Sequence, residues 1–310
     1  MLIERAMKQI ALAVLAFLLA APAVSACEGR LVDSKFVLHT PLCVPKEPKR
    51  IAVIDPTFSL GMSLELGLPV VAAPLFKMSD PVLKARAQEK SIIDLGSYLE
   101  PSIEMLIGAK PDLIIGSGLA DAYYPMLSQI APTLLYNARD WRDIFSTIAD
   151  ATGQGARKTD FFAPYDARVA SIRARMPNTR VSVLRITSWD FQVYTDGPDA
   201  YAPFEVLQDA GVRRSAYETV TDDTGLKRPD WEALSNLDGD VLLYIIGGGN
   251  NSDTSGRHEE VTGNPLWKML PAVKAGRVYR VDAGTWMEFS GLASANRVLD
   301  DIERYILKTQ

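Results

Sequence analysis

Few residues in this 310-residue chain have the types and spacing for covalent or metal chemistry. Its two histidines, His39 and His258, stand far apart, with no cysteine or second histidine at ligand spacing. A metal centre needs clustered nitrogen, oxygen or sulfur donors. No metal site is therefore expected, and His258 in "GRHEE" reads as a surface histidine. The glycine runs "GSG" (116–118) and "GGGNNS" (247–252) lack both the G-K-[ST] ending of a phosphate loop and the spacing of a dinucleotide fingerprint. They read as sharp turns after strands. There is no G-x-S-x-G elbow, and the carboxylates form no recognisable catalytic pair. The chain is not expected to be an enzyme or to carry a cofactor. An exported α/β enzyme is the rival reading, and it needs a nucleophile–base pair converging in a cleft.

The aromatic residues and arginines that follow strand-like runs carry more information. In the first half these are Tyr98, Tyr123, Tyr124, Arg139 and Trp141; in the second, Arg185, Trp189, Tyr194 and Trp286. Ligands of α/β sheets bind outside the carboxyl ends of the strands, so this set is predicted to face one cleft. Aromatic walls suit a bulky ligand with an organic shell, and tyrosine hydroxyls or arginines suit its oxygens. Taken singly, each aromatic fits core packing equally well.

The elements that must position these side chains alternate. From Arg50 onward, "RIAVID", "LPVVAAP", "SIIDLGS", "DLIIG" and "TLLY" read as strands separated by helices such as "SLGMSLELG" and "YPMLSQIA". That order predicts a parallel sheet in a three-layer α/β lobe. "DWRDIFSTIAD" reads as an amphipathic helix. A charged stretch, 156–176, reads as one long helix of some 20 residues, reaching about 30 Å between lobes, with Pro164 kinking or splitting it. A second series follows: "VSVLRI", "FEVLQDAG", "PDWEALSNL", "DVLLYII", "VYRVD" and a closing helix over about 291–307. One unit is duplicated. Shifting "PSIEMLIGAKPDLIIG" by 128 positions places Pro101 on Pro229, Glu104 on Glu232, Leu106 on Leu234 and Asp112 on Asp240. The fold class is therefore α/β, two three-layer lobes with mainly parallel sheets, divided as 27–155, a linking helix 156–177, and 178–310.

Residues 1–26 are set apart as a signal peptide. A basic start (Arg5, Lys8) precedes an eleven-residue apolar core, Ile10 to Ala20, and the small-residue end "APAVSAC". The core is too short to span a membrane. Removing Glu4, Arg5 and Lys8 takes the net charge from −5 to −6. That acidic balance carries no footprint for nucleic acid. Cys27 and Cys43 read as a disulfide in an oxidising compartment. The alternative is a lipidated Cys27, since "VSAC" is similar to a lipobox.

The chain resembles the substrate-binding proteins of bacterial iron–siderophore importers of the ATP-binding-cassette type. The resemblance spans nearly the whole mature chain and is carried by "EPSIEMLIGAKPDLII" and by "NPLWKMLPAVKAGRVYRVDAGTW" (264–286), the latter closest to ferric-hydroxamate binders; "APTLLY" and "RVLDDIERYI" add weaker support. It implies a monomeric periplasmic receptor that holds a ferric siderophore between two lobes joined by a helix and delivers it to an inner-membrane permease and its ATPase. It also implies that Glu104 and Glu232 dock, one per lobe, into arginine pockets of that permease, and that Trp286 is a cleft residue. Catecholate binders often carry an arginine where this chain has Leu119, and hydroxamate binders place one where it has Tyr98. The resulting expectation is a hydroxamate or mixed citrate–hydroxamate cargo, with iron held by its own chelator. Haem and cobalamin are the rivals on the same fold, with Tyr123 or Tyr124 as a possible axial ligand for haem.

Overall fold

The computed structural model describes residues 27–308 except 56 and 199; the expected signal peptide lies outside the described residues. A short antiparallel hairpin comes first, β1 (Arg30–Val32) with β2 (Leu42–Val44). Cys27 and Cys43 form a disulfide across its base. The hairpin loop reaches the first sheet through Leu38, whose N–H donates to the Leu135 carbonyl at 2.9 Å.

The first sheet holds β3 (Ile51–Val53), β4 (Val70–Ala73), β5 (Ile93–Asp94), β6 (Leu113–Ser117) and β7 (Thr133–Tyr136). All neighbours are parallel, in the order β5-β4-β3-β6-β7. The central strands are continuous apolar runs because helices cover both faces. Ile51, Ala52, Val53, Leu113, Ile114 and Ile115 are all fully buried.

The second sheet is mixed. β8 (Arg180–Ile186), β12 (Val241–Ile246) and β13 (Val278–Val281) are parallel, and the two-residue β10 (Arg213–Arg214) adds to β8 in the same sense. β9 (Phe191–Tyr194) folds back antiparallel on β8, and β11 (Leu226–Lys227) extends that edge.

The linking helix runs from Lys158 to Arg173, after a 3₁₀ turn at Gly155–Arg157. At 16 residues it spans about 24 Å, shorter than the sequence suggests. Pro164 neither ends nor divides it. The residue is exposed, so the Asp160 carbonyl that loses its helical donor can turn to water. Tyr165, Val169 and Ile172 form the buried stripe. Arg142 from the first half reaches Asp166 on this helix, and Arg168 reaches Asp300 and Glu303 of the second.

The duplicated unit is present twice with one difference. The first copy is an α-helix, Ile103–Gly108, whereas "PDWEALSNL" gives only a 3₁₀ turn, Ala233–Asn236. Leu106 and Leu234 are nonetheless both fully buried. The closing helix, Leu292–Ile302, continues into a π-turn, Glu303–Leu307. Its first N–H groups bond across to the first lobe: Leu292 and Ala293 donate to the Glu65 carboxylate at 3.0 and 2.7 Å.

Candidate functional site: an interlobe cleft

A cleft of about 1540 Å³ opens between the two lobes and is lined by the loops that follow their strands. Its floor is polar and internally satisfied. Asp55, two residues past the end of β3, accepts from the hydroxyls of Tyr136 and Ser59, both at 2.5 Å, and from the Thr57 hydroxyl at 3.1 Å. Burial first, and then the Asp55 charge, push the Tyr136 hydroxyl well above the ordinary tyrosine range, so it stays a donor. On the far side Glu288 accepts from the N–H groups of Ser79 and Asp80, at 2.7 and 2.8 Å, and from the Ser79 hydroxyl at 2.5 Å. Asp80 also pairs with Arg297. These bonds tie the lobes together along one margin of the cleft.

Five of the nine side chains singled out by sequence line this cleft: Tyr98, Tyr123 and Arg139 from the first lobe, Arg185 and Trp189 from the second. Tyr98, Tyr123 and Trp189 are exposed. Tyr194 stands one layer back. Its hydroxyl accepts from Arg185 at 3.2 Å, and its ring stacks on Phe204. Tyr124 turns away and stacks on His39, with ring centroids 3.7 Å apart.

Two of the nine, Trp141 and Trp286, are buried in the core instead of lining the cleft. Trp141 is the first residue of the helix Trp141–Ala151, capped by Asp140, and faces the core rather than a loop. It packs edge-on against Tyr165 and Phe289. Trp286 lies on the short helix Ala283–Met287 and is fully buried, its Nε1 donating to Asp301 at 2.8 Å. The turn of that helix sends Met287 and Glu288 to the cleft instead.

Phe76, Tyr201 and Glu288 also line the cleft, though their sequence contexts did not mark them, and so does Leu119. Phe76 follows β4 as directly as Tyr98 follows β5, so the strand-end rule could have found it. Leu119 is 91% exposed, an apolar side chain held in the open at the mouth. The loop 247–252 contributes Gly248, Gly249 and Asn250 to the lining. Gly247 and Gly248 adopt positive φ there, 95° and 76°, conformations that favour glycine.

Glu104 and Glu232 are both exposed at the starts of the duplicated turns. Ser102 caps the first, accepting from Met105 N–H at 3.3 Å, and Asp230 braces the second, accepting from Ala233 N–H at 2.8 Å. Among the described residues there is no group of three or more His, Cys, Asp or Glu placed to hold a metal, and no helix long and apolar enough to cross a membrane.

The sequence profile of the periplasmic binding protein family matches residues 51–285, which takes in both sheets and all of the cleft lining except Met287 and Glu288. The chain belongs to that family. Among curated relatives, it is 29% identical over 319 aligned positions to the probable siderophore-binding lipoprotein YfiY of Bacillus subtilis, covering 95% of this chain and 97% of that protein. It is 28% identical over 251 positions to the iron(3+)-hydroxamate-binding protein FhuD of B. subtilis, covering 77% and 75%. Among solved structures, Staphylococcus aureus SirA complexed with staphyloferrin B superposes with a TM-score of 0.74 at 21% identity, over 84% of this chain and 94% of that one. These matches agree with the α/β architecture above.

Proposed function

We propose that this family member captures a ferric siderophore in the interlobe cleft and delivers it to an inner-membrane ATP-binding-cassette permease. The observation that carries the reading is the cleft itself, walled from both lobes by exposed aromatics and arginines, in a chain whose relatives are named for siderophore binding. Its volume exceeds the few hundred to 1,000 Å³ of ordinary small-molecule pockets, which leaves room for a metal wrapped in an organic shell. The preferred cargo is a hydroxamate or mixed citrate–hydroxamate complex. The iron is cargo, its coordination filled by the chelator. The protein acts as a monomeric binding protein rather than an enzyme, and Glu104 and Glu232 present its permease-docking acids.

Export to the periplasm fits the leader pattern of 1–26. With the Cys27 sulfur bonded to Cys43, a free periplasmic form is favoured over a lipid anchor. Intact mass of the mature protein separates a disulfide from a diacylglyceryl adduct.

Ligand binding stabilises a folded protein by mass action. A thermal-shift panel of ferric siderophores is expected to raise the unfolding temperature, with haem and cobalamin inactive. A shift with haem or cobalamin alone would overturn the cargo assignment.

A further inference from the structure

The acids and cations of the cleft are not equally available. Asp55 and Glu288 are each saturated by protein donors, as described above, and offer a ligand little. Asp190, in the loop between β8 and β9, is ion-paired to Arg228 and also accepts from the Thr187 hydroxyl. Arg185 differs. It sits on β8 opposite Gln192 of β9, and its Nη1 donates to Gln192 Oε1 at 3.1 Å and to the Tyr194 hydroxyl at 3.2 Å. Both partners are neutral. Among the described residues Arg185 meets no carboxylate, and its Nε is buried without a hydrogen-bond partner.

A half-buried guanidinium held in place by two neutral acceptors has lost hydration without gaining a counter-charge. Its neighbours fix its direction and leave its charge open. A ligand that brings an anionic oxygen supplies the missing half, through charge-assisted and potentially bidentate bonds. On the facing lobe, Lys77, Arg139 and the acid Glu100 also border the cleft.

We propose that Arg185 is the anion receptor of this cleft, and that the cargo is a negatively charged ferric complex of a citrate-type, α-hydroxycarboxylate-bearing chelator. This rests on the siderophore reading above and narrows it. Three hydroxamates neutralise ferric iron and present no net charge. An α-hydroxycarboxylate carries two negative charges at iron, so a citrate-based dihydroxamate complex keeps one in excess. Arg185 selects the second kind.

The test is calorimetric titration of the full mature chain with two probes: the ferric complex of a citrate-based dihydroxamate, and a neutral ferric trihydroxamate. The first is expected to bind at least tenfold tighter, and more weakly as salt rises. Arg185→Gln is expected to weaken the anionic complex about 10- to 100-fold, the worth of a charged hydrogen bond, and to leave the neutral complex within about threefold. Arg185→Lys, which keeps the charge and loses the fork, is expected to recover part of the loss. The ligand-free unfolding temperature of each variant reports whether it is folded. Neutral complex binding as tightly as the anionic one, or Arg185→Gln weakening both alike, overturns this proposal and leaves the siderophore reading standing. If neither ferric chelate binds the parent protein, the siderophore reading itself falls.

Discussion

Asp112 and Asp240, 128 positions apart, make the same two bonds. Each donates its backbone N–H to a carbonyl 2.8 Å away, Arg50 for the first and Arg180 for the second. Each carboxylate accepts the N–H of that same arginine in return, at 3.0 and 2.8 Å. The reciprocal pair closes the amino-terminal end of the two central parallel strands in each lobe, β3–β6 and β8–β12.

Removing either carboxylate should therefore cost the same kind of energy in each lobe. Asp112→Ala and Asp240→Ala are each expected to lower stability by about 1–2 kcal/mol, the range for a partly exposed hydrogen bond to a charged acceptor. Urea unfolding of the two variants checks this. A loss confined to one of them would show that only one copy of the unit contributes to stability.

Two acids that join the lobes make stability fall as pH rises through neutrality. Burial raises the Glu65 carboxyl to about 7, although the Ala293 and Leu292 N–H groups, Arg86 and Arg297 pull the other way. Burial, and then Asp140, raise Glu205 to about 8, while the Trp141 N–H that it faces lowers it. Both carboxyls bind protons more tightly folded than unfolded. Their contribution is complete below about pH 4.5 and is lost as pH climbs through about 7 and 8. Glu303 acts in the opposite sense, held below the usual range by Arg175 and Arg168, so its contribution is lost on acidification. Denaturation midpoints from pH 5 to pH 9 are expected to decline, with a shallower slope in Glu65→Gln and Glu205→Gln.

The two second-lobe tryptophans at issue should separate stability from binding. Trp286→Phe removes the donor to the partly buried Asp301 and leaves a void, at a cost of about 2–3 kcal/mol, with affinity preserved. Trp189, 68% exposed at the mouth, should tolerate Ala within about 0.5 kcal/mol and lose affinity for a ferric siderophore. Thermal unfolding and titration of both variants give the comparison.

Docking by Glu104 and Glu232 predicts a defect in delivery without a defect in capture. The double variant Glu104→Ala, Glu232→Ala is expected to bind cargo as the parent does and to fail in uptake reconstituted with the permease. Uptake at the parental rate would remove the docking role.

The strands were legible because buried parallel sheets demand continuous aliphatic runs, and "DLIIG" and "DVLLYII" have no other comfortable home. The helix over 141–151 was equally plain, but its first residue was not. Asp140 caps it, and this fixes Trp141 at the start of the buried stripe that continues through Ile144, Phe145 and Ile148. Trp286 was assigned to the cleft from its place after a strand and from the family resemblance, and a five-residue helix carries too little periodicity to reveal that this side chain faces inward. The second copy of the duplicated turn tightened to 3₁₀ because sequence similarity preserved the Leu234 anchor without fixing the turn around it. What a linear pattern could not convey was pairing across the chain, such as Glu288 with Ser79 or Glu65 with Leu292.

Those long-range ties, with the rod Lys158–Arg173 behind them, bear on how a carrier of this build signals that it is full. A clamp bolted at its back and along one margin has little swing to spare. Under the proposed function, empty and laden forms would then differ by small shifts of the rim and by the cargo's own outward face, and a permease would have to read those. Unloading would require the importer to pry open a frame that does not spring apart by itself.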